Sequence, residues 1–205
     1  MSKIAPSIIE GMQNRRSIYS LTNVSPIPDD RIEQLISETV MHTPSPFNSQ
    51  TARLVVLLKE QHERLWDIAL EAATASVPPE QLENLYKPRI AGFRAGYGTV
   101  LFYEDPAPLK PLEEKWPMLV DKFPEWVNHS SGMHQFALWT LLEAEGLGCN
   151  LQHYSPLIDA RVSQEWSIPI DWSLKAQLVF GQPTGPGPRE KAFEPLDKRV
   201  LVYGR

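Results

Sequence analysis

A single cysteine, Cys149, stands in a chain of 205 residues. It has no partner for an intrachain disulfide and cannot supply a cysteine metal cluster, so packing has to hold the fold, and a reducing compartment suits it. Nor does any stretch approach the ~18 uninterrupted apolar residues of a membrane span. The start, Met1-Ser-Lys-Ile-Ala-Pro6, lacks the long apolar block of a secretory signal, which makes a cytoplasmic protein the expectation. Positive charge is short as well: 20 basic against 25 acidic residues leave a formal charge of −5. No diffuse attraction to nucleic acid or anionic membrane is expected from such a chain, and any anion site must be local.

Several chemistries lack their motif. There is no Gly-x-x-x-x-Gly-Lys-Ser/Thr loop, no Gly-x-Ser-x-Gly elbow and no His-Glu-x-x-His helix, so nothing supports a P-loop enzyme, a serine hydrolase or a zinc protease. His129 and His134 are five residues apart and face different sides of a helix, without an acidic ligand cluster nearby. They read as one surface and one core-edge histidine, and no metal site is expected. Cys149 reads as a packed thiol, because no activating base is identifiable. Gly96-Tyr-Gly98 and Gly146-Leu-Gly148 are too short for a dinucleotide fingerprint and read as turn or cap glycines.

What is present is a balanced composition, 42% hydrophobic and 22% charged, enough for one domain over residues 1–205 with a sizeable core. Ser7 with Glu10 resembles a capping box for a short helix bearing Ile8, Ile9 and Met12, which ends around Asn14 to Ser17. Pro28-Asp29-Asp30 reads as the first turn of a second helix with Ile32, Leu35, Ile36 and Val40 on one face. Pro44 to Gln50 is a loop, and Leu54 to Leu58 a short buried strand. Residues 61–87 read as mostly helical with a break at Pro78-Pro79, and Tyr97 to Tyr103 as a strand. Five prolines between Pro106 and Pro124 suggest a mobile, lid-like connection with a helical middle. From Glu125 to Glu145 the residues Trp126, Met133, Ala137, Leu138, Leu141 and Leu142 recur at helical spacing before Gly146, the expected long central helix. Leu174, Ala176, Leu178 and Phe180 alternate with Lys175, Gln177 and Val179 as a strand. Pro183 to Pro188 is a loop, and Arg199 to Tyr203 reads as a last strand. Helices mixed with few strands give a single α+β domain.

Three islands could carry chemistry. Arg15-Arg16-Ser17 offers two guanidinium forks and a hydroxyl, donors suited to a phosphate monoester; the alternative is that the cations merely complement a helix C-terminus. Ser45, Pro46, Asn48 and Gln50 stand in a proline-stiffened loop whose amides and hydroxyls could recognise a polyol or a heteroaromatic edge, or could be plain turn chemistry. Arg199 could reach the same anion or be a solvated charge.

Arg15-Arg16-Ser17-Ile-Tyr, Pro44-Ser-Pro-Phe-Asn48-Ser-Gln50-Thr-Ala-Arg, Gly146-Leu-Gly-Cys-Asn-Leu-Gln152-His153-Tyr and Lys191-Ala-Phe-x-Pro-x-x-x-Arg199-Val, in that order, resemble the nitroreductase family. Gly98-Thr-Val-Leu-Phe-Tyr-Glu-Asp, Asn128-His-Ser-Ser-Gly-Met-His-Gln-Phe-Ala-Leu-Trp139 and the tail Arg199-Val-x-Val-Tyr-Gly resemble its compact, fatty-acid-repression-mutant-like branch. The resemblance implies a nitroreductase-like fold, a central mixed β-sheet flanked by helices, in an FMN-dependent, NADH- or NADPH-oxidising homodimer with flavins at the subunit interface, where the long central helix lies, and a small-molecule electron acceptor such as a nitroaromatic or quinone. It implies that Arg15, Arg16, Ser17 and Arg199, helped by Lys191, hold the FMN phosphate. Ser45, Pro46, Asn48 and Gln50 would come from the opposite subunit, and Leu151, Gln152 and His153 would lie by the isoalloxazine, mainly through backbone groups. Many nitroreductases have Pro-x-Glu-Gly at this last place, and this chain has Leu151-Gln-His-Tyr154. No side chain is expected to be catalytic, since the flavin carries the chemistry; His153 is the one to test as a local proton source. The other functional reading is a flavin-binding regulatory or redox-sensing protein, linked to lipid metabolism, with little turnover.

Overall fold

The computed structural model of the protein describes residues 8–204. The capping role expected of Ser7 therefore lies outside the described residues. In chain order the elements are α1 (Ile8–Asn14), β1 (Leu21–Thr22), α2 (Asp29–His42), β2 (Ala52–Leu58), α3 (Glu60–Ser76), α4 (Pro79–Gln81), α5 (Lys87–Arg94), β3 (Gly98–Glu104), α6 (Lys110–Lys115), α7 (Phe123–Ala144), β4 (Gly148–Gln152), α8 (Asp159–Trp166) and β5 (Ser173–Pro183). A π-helical turn, Leu82–Tyr86, carries α4 into α5, so helix continues past the expected limit at 87 as far as Arg94.

The sheet is ordered β1-β5-β3-β2, with β4 also paired to β5. All four ladders are antiparallel, and the parallel part of the expected mixed sheet is a single bridge between Ser17 and Cys149. Helices cover both faces. Trp66, Ile68, Phe93, Leu101, Tyr103 and Val179 form the core on the α3, α5 and α8 side. Ile32, Leu35, Val100, Phe102, Leu138, Leu178 and Phe180 form the core on the α2 and α7 side. The two sets alternate along β3, as a strand's period of two requires.

β5 departs from the simple alternation. The register shifts between Phe102 and Tyr103 of β3, which pair with Ala176 and Leu174 and leave Lys175 as the extra residue. This bulge turns Leu174 to the α3 side while Ala176 and Leu178 face α7. In α2 the buried position after Ile36 is Thr39, whose hydroxyl donates to Leu35 O at 2.8 Å, and Val40 faces outward. β2, expected to be buried, is an edge strand and mostly half-buried.

α7 starts with Pro124 in its first turn and ends at Gly146, whose φ of +91° suits glycine. Gly146 N–H donates to Glu143 O and Leu147 N–H to Leu142 O, the paired bonds of a Schellman cap, as expected for this glycine. Gly98 and Gly148 instead open strands β3 and β4. The proline-rich segment is helical in short turns throughout, not only in its middle, and packs Leu109, Phe123 and Val127 as a small satellite core. Arg199 to Tyr203 forms no strand; Arg199 closes the short turn that begins at Leu196, the residues after it are irregular and exposed, and no strand among the described residues pairs with them.

Candidate functional site

The end of α1 runs directly into an extended segment laid beside β4. Ile18 N–H donates to Cys149 O at 2.8 Å, and Asn150 Nδ2 donates to Ile18 O at 2.8 Å. Gln152 Nε2 in turn donates to Asn150 Oδ1 at 2.8 Å. Arg15-Arg16-Ser17 and Leu151-Gln152-His153 are therefore held on one edge of the molecule by a ladder of backbone and amide bonds. β4 was not apparent in the sequence, because its inward polar residues look like loop residues until their partners are known.

Glu143, near the C-terminal end of α7, organises the arginine cluster from beneath. It accepts the backbone N–H of Arg16 at 2.8 Å and the indole N–H of Trp139 at 2.9 Å. The Arg15 guanidinium stacks on the Trp139 ring, 4.4 Å from its centroid. Arg16 donates through Nη2 to the carbonyl of Arg189 in the C-terminal tail. Neither guanidinium is ion-paired with a carboxylate among the described residues, so both keep charge for an outside anion. That donor set, beside the exposed Ser17 hydroxyl, fits a phosphate monoester. The tail reaches this cluster at Arg189; Lys191 lies over Phe193 at 5.4 Å, and Arg199 is exposed, its N–H turned back to Leu196 O.

Burial lifts the Glu143 carboxyl from about 4.5 to about 7, against the pull of the Arg16 N–H, the Trp139 indole and the Arg15 charge. A carboxyl whose folded pKa exceeds its unfolded one contributes stability that is complete below about 4.5 and is lost as pH rises through 7. The thermal stability of the wild type should therefore fall between pH 5 and pH 8, and Glu143→Gln should flatten that slope. The variant also sets an amide N–H against one of the two donors, so it should melt roughly 2–4 °C lower for each kcal/mol lost. An unaltered slope in the variant would mean that Glu143 stays ionised throughout. The sequence reading did not assign Glu143 or Trp139 to the site; their only signal was an acid and an indole at i, i+4 of one helix.

The loop after α2 forms the other donor set. Ser45 Oγ accepts the Gln50 N–H at 2.9 Å, and Asn48 N–H donates to Ser45 O at 3.0 Å. Phe47, Asn48 and Gln50 all have φ between 51° and 54°, a left-handed path that non-glycine residues keep only when their surroundings impose it. The surroundings do so: Ser130 Oγ on α7 donates to Pro44 O at 2.9 Å, and Phe47 sits among Trp116, Phe123 and Trp126 with centroids 6.0–6.3 Å apart. Ser45 and Pro46 are half-buried, while Asn48 and Gln50 are exposed.

One chain does not bring the two donor sets together. The loop rests on α7 at Ser130 and the arginine cluster rests on it at Glu143, a separation of about 20 Å along the helix axis at ~1.5 Å per residue. Of the histidines considered, His129 is exposed and His134 is buried, its Nδ1 2.9 Å from Ser130 O. Cys149 is fully buried, which pushes its thiol well above the usual range.

A model of the nitroreductase family matches residues 12–182. The chain is 35% identical over 200 residues to nitroreductase FRM2 of Saccharomyces cerevisiae, covering 95% of this chain and 96% of that protein. Among solved structures, nitroreductase CinD from Lactococcus lactis, in complex with 4-nitrophenol, superposes with a TM-score of 0.86 at 39% identity over 97% of this chain and 100% of that one. A putative nitroreductase from Desulfovibrio desulfuricans, in complex with FMN, shares the fold at 17% identity, with a TM-score of 0.70 over 97% of this chain and 98% of that one.

Proposed function

This chain belongs to the nitroreductase family, and from that premise we propose that it is an FMN-dependent oxidoreductase for which NADH or NADPH is the donor and a nitroaromatic, quinone or related small molecule the acceptor. The observation that supports this most is the division of donors along α7: an anion-ready arginine cluster at one end, a stiff polar loop at the other, and about 20 Å between them. A two-fold axis across α7 would set the loop of one chain against the cluster of the other, giving a homodimer with two shared sites. Ile8, Ile9 and Met12 on α1 and Met133 and Phe136 on α7 are exposed, as are Leu196, Val200 and Leu201 in the tail. Apolar surface of that extent favours a second copy as its cover.

In that dimer Arg15, Arg16 and Ser17 would hold the FMN phosphate, and Arg199 and Lys191 would arrive with the tail. Ser45, Pro46, Asn48 and Gln50 would contact the flavin bound by the opposite chain. When bound, FMN would supply the hydride and electron transfer between nicotinamide and acceptor, the two using the same place in turn in a two-step cycle. The protein's part is to position and shield. Leu151, Gln152 and His153 lie on the strand edge that continues from the arginine cluster, and the turn after them is fixed by Tyr154 N–H donating to Gln177 Oε1 at 2.7 Å. We place the protein in the cytoplasm, as one domain over residues 1–205 acting without nucleic acid or membrane; no helix among the described residues is long and apolar enough to cross a bilayer.

Steady-state NADH and NADPH oxidation by the purified, FMN-loaded protein tests the reading. Turnover that rises with nitroaromatic or quinone and gives parallel double-reciprocal lines is expected. NAD(P)H consumption that ignores the acceptor would contradict it, and retention of FMN with a single slow reduction would favour the redox-sensing alternative.

A further inference from the structure

Two adjoining cavities open beside β4, of about 330 and 450 Å³, and Arg89 and Gln152 line both. The first reaches Tyr86 and His153, the second Tyr19 and Phe93. The chain carries more acids than bases, yet no aspartate or glutamate lines either cavity. Arg89 is also the exception among the cations of this side of the molecule. Arg94 is paired with Asp67 and Glu63 at 2.8 Å, Arg64 with Glu71 and Glu165 at 3.0 Å, Arg161 with Glu71 at 3.3 Å, and Lys87 with Glu83. Arg89, exposed and lining both cavities, has no carboxylate partner among the described residues.

The walls are aromatic. Tyr86 stands edge-on to Tyr154 with centroids 6.5 Å apart, and Phe93 edge-on to the same ring at 6.2 Å. Tyr86 ends the π-helical turn, where Lys87 N–H donates to Leu82 O, five residues back. Such a turn inserts one residue into the helix and changes the direction of the side chains that follow it, and it recurs at functional sites. Here it separates Leu85 and Tyr86, which line the first cavity, from the helical register of α5, which presents Arg89 and Phe93.

We infer that these cavities form the acceptor pocket and that Arg89 selects aromatic acceptors bearing a carboxylate. The inference rests on the oxidoreductase reading above, because it takes the Gln152-His153 edge as the place where the flavin ring lies. An aromatic body fits against Tyr86 and Tyr154 in the first cavity or Tyr19 and Phe93 in the second, and the guanidinium that lines both takes the carboxylate through paired N–H donors. The carboxylate then fixes which end of the molecule points inward, toward Gln152.

The test compares 4-nitrobenzoate with 4-nitrobenzamide, matched in ring and nitro group and different in charge, as acceptors for the FMN-loaded wild type, Arg89→Ala and Arg89→Lys. A charge-assisted contact corresponds to roughly tenfold to hundredfold in affinity. The wild type should prefer the benzoate by at least about tenfold in kcat/KM. Arg89→Ala should remove the preference through the benzoate's KM, and Arg89→Lys should restore part of it. Calorimetric titration with benzoate, which has no group to reduce, reads the contact without turnover and should show the same loss in Arg89→Ala. Equal kcat/KM for the two acceptors in the wild type, or benzoate binding indifferent to Arg89, would overturn the inference and leave the oxidoreductase reading standing. A selective rise in the KM for NADPH in Arg89→Ala would overturn it too, making Arg89 a contact of the nicotinamide cofactor's extra phosphate. Failure of both nitro compounds and of quinones to be reduced would instead count against the oxidoreductase reading, with the benzoate titration still deciding whether Arg89 binds a carboxylate.

Discussion

Protein in which Arg15 and Arg16 are both replaced by alanine should purify without flavin. Each guanidinium lacks a carboxylate partner among the described residues and adjoins the exposed Ser17 in the chain, so each has donors left for a phosphate. A hydrogen bond to a charged group is worth about 1.5–3 kcal/mol, roughly tenfold to more than hundredfold in affinity per arginine. Arg16→Ala alone should weaken FMN binding severely. Arg15→Ala should act in the same direction and also leave the Trp139 ring bare. If the two cations served only to complement the end of α1, their loss would cost a few tenths of a kcal/mol to about 1 kcal/mol of stability and leave the flavin in place. Fluorescence titration with FMN separates the outcomes: undiminished flavin content in the double variant would remove the phosphate site from the account.

The second large effect is expected at the middle of α7. Met133 and Phe136 are 41% and 42% exposed in the lone chain and lie between the loop contact at Ser130 and the cluster contact at Glu143. Gly11 lets α1 lie close against the same helix, since a Cβ there would come within 2.8 Å of Thr140 Cγ2, and α1 thereby adds Ile8, Ile9 and Met12 to one apolar face. Replacing Met133 and Phe136 by glutamate would remove apolar burial worth roughly 1.5–3 kcal/mol per side chain and force charges into the contact. In a two-fold dimer each substitution counts twice, so the dissociation constant should rise by at least about four orders of magnitude. Light scattering should then show a monomer, and the flavin should be released with it, because the donors at Ser45 to Gln50 and at Arg15 to Ser17 would no longer meet. A stable monomer carrying one FMN per chain would reject the shared site.

What the sequence disclosed followed from periodicity. α2, α3 and α7 were legible because an apolar stripe at helical spacing has one physical solution, and Gly146 marked the end of α7 because few other residues adopt its φ. β4 was hidden for the opposite reason: Asn150 is bonded inward to Ile18 O, a partner far away in sequence, and Gln152 is bonded to Asn150 in turn. The bulge at Lys175 could not be seen either, since it arises from the pairing with β3 rather than from β5 itself. The run Arg199 to Tyr203 has strand composition and no strand partner among the described residues. At the site, Arg15 and Arg16 stood out as a charge cluster in an acidic chain. Glu143, Trp139 and Arg89 did not, because their importance lies in what is or is not opposite them in space.

The visible absorption spectrum of the freshly purified protein, taken under argon before and after NADH is added, bears most directly on the proposed chemistry. A flavin band equivalent to one FMN per chain, bleached by NADH and restored by a nitroaromatic, is the expected result. A colourless protein that takes up no FMN when it is offered would contradict the flavin site, whatever the fold.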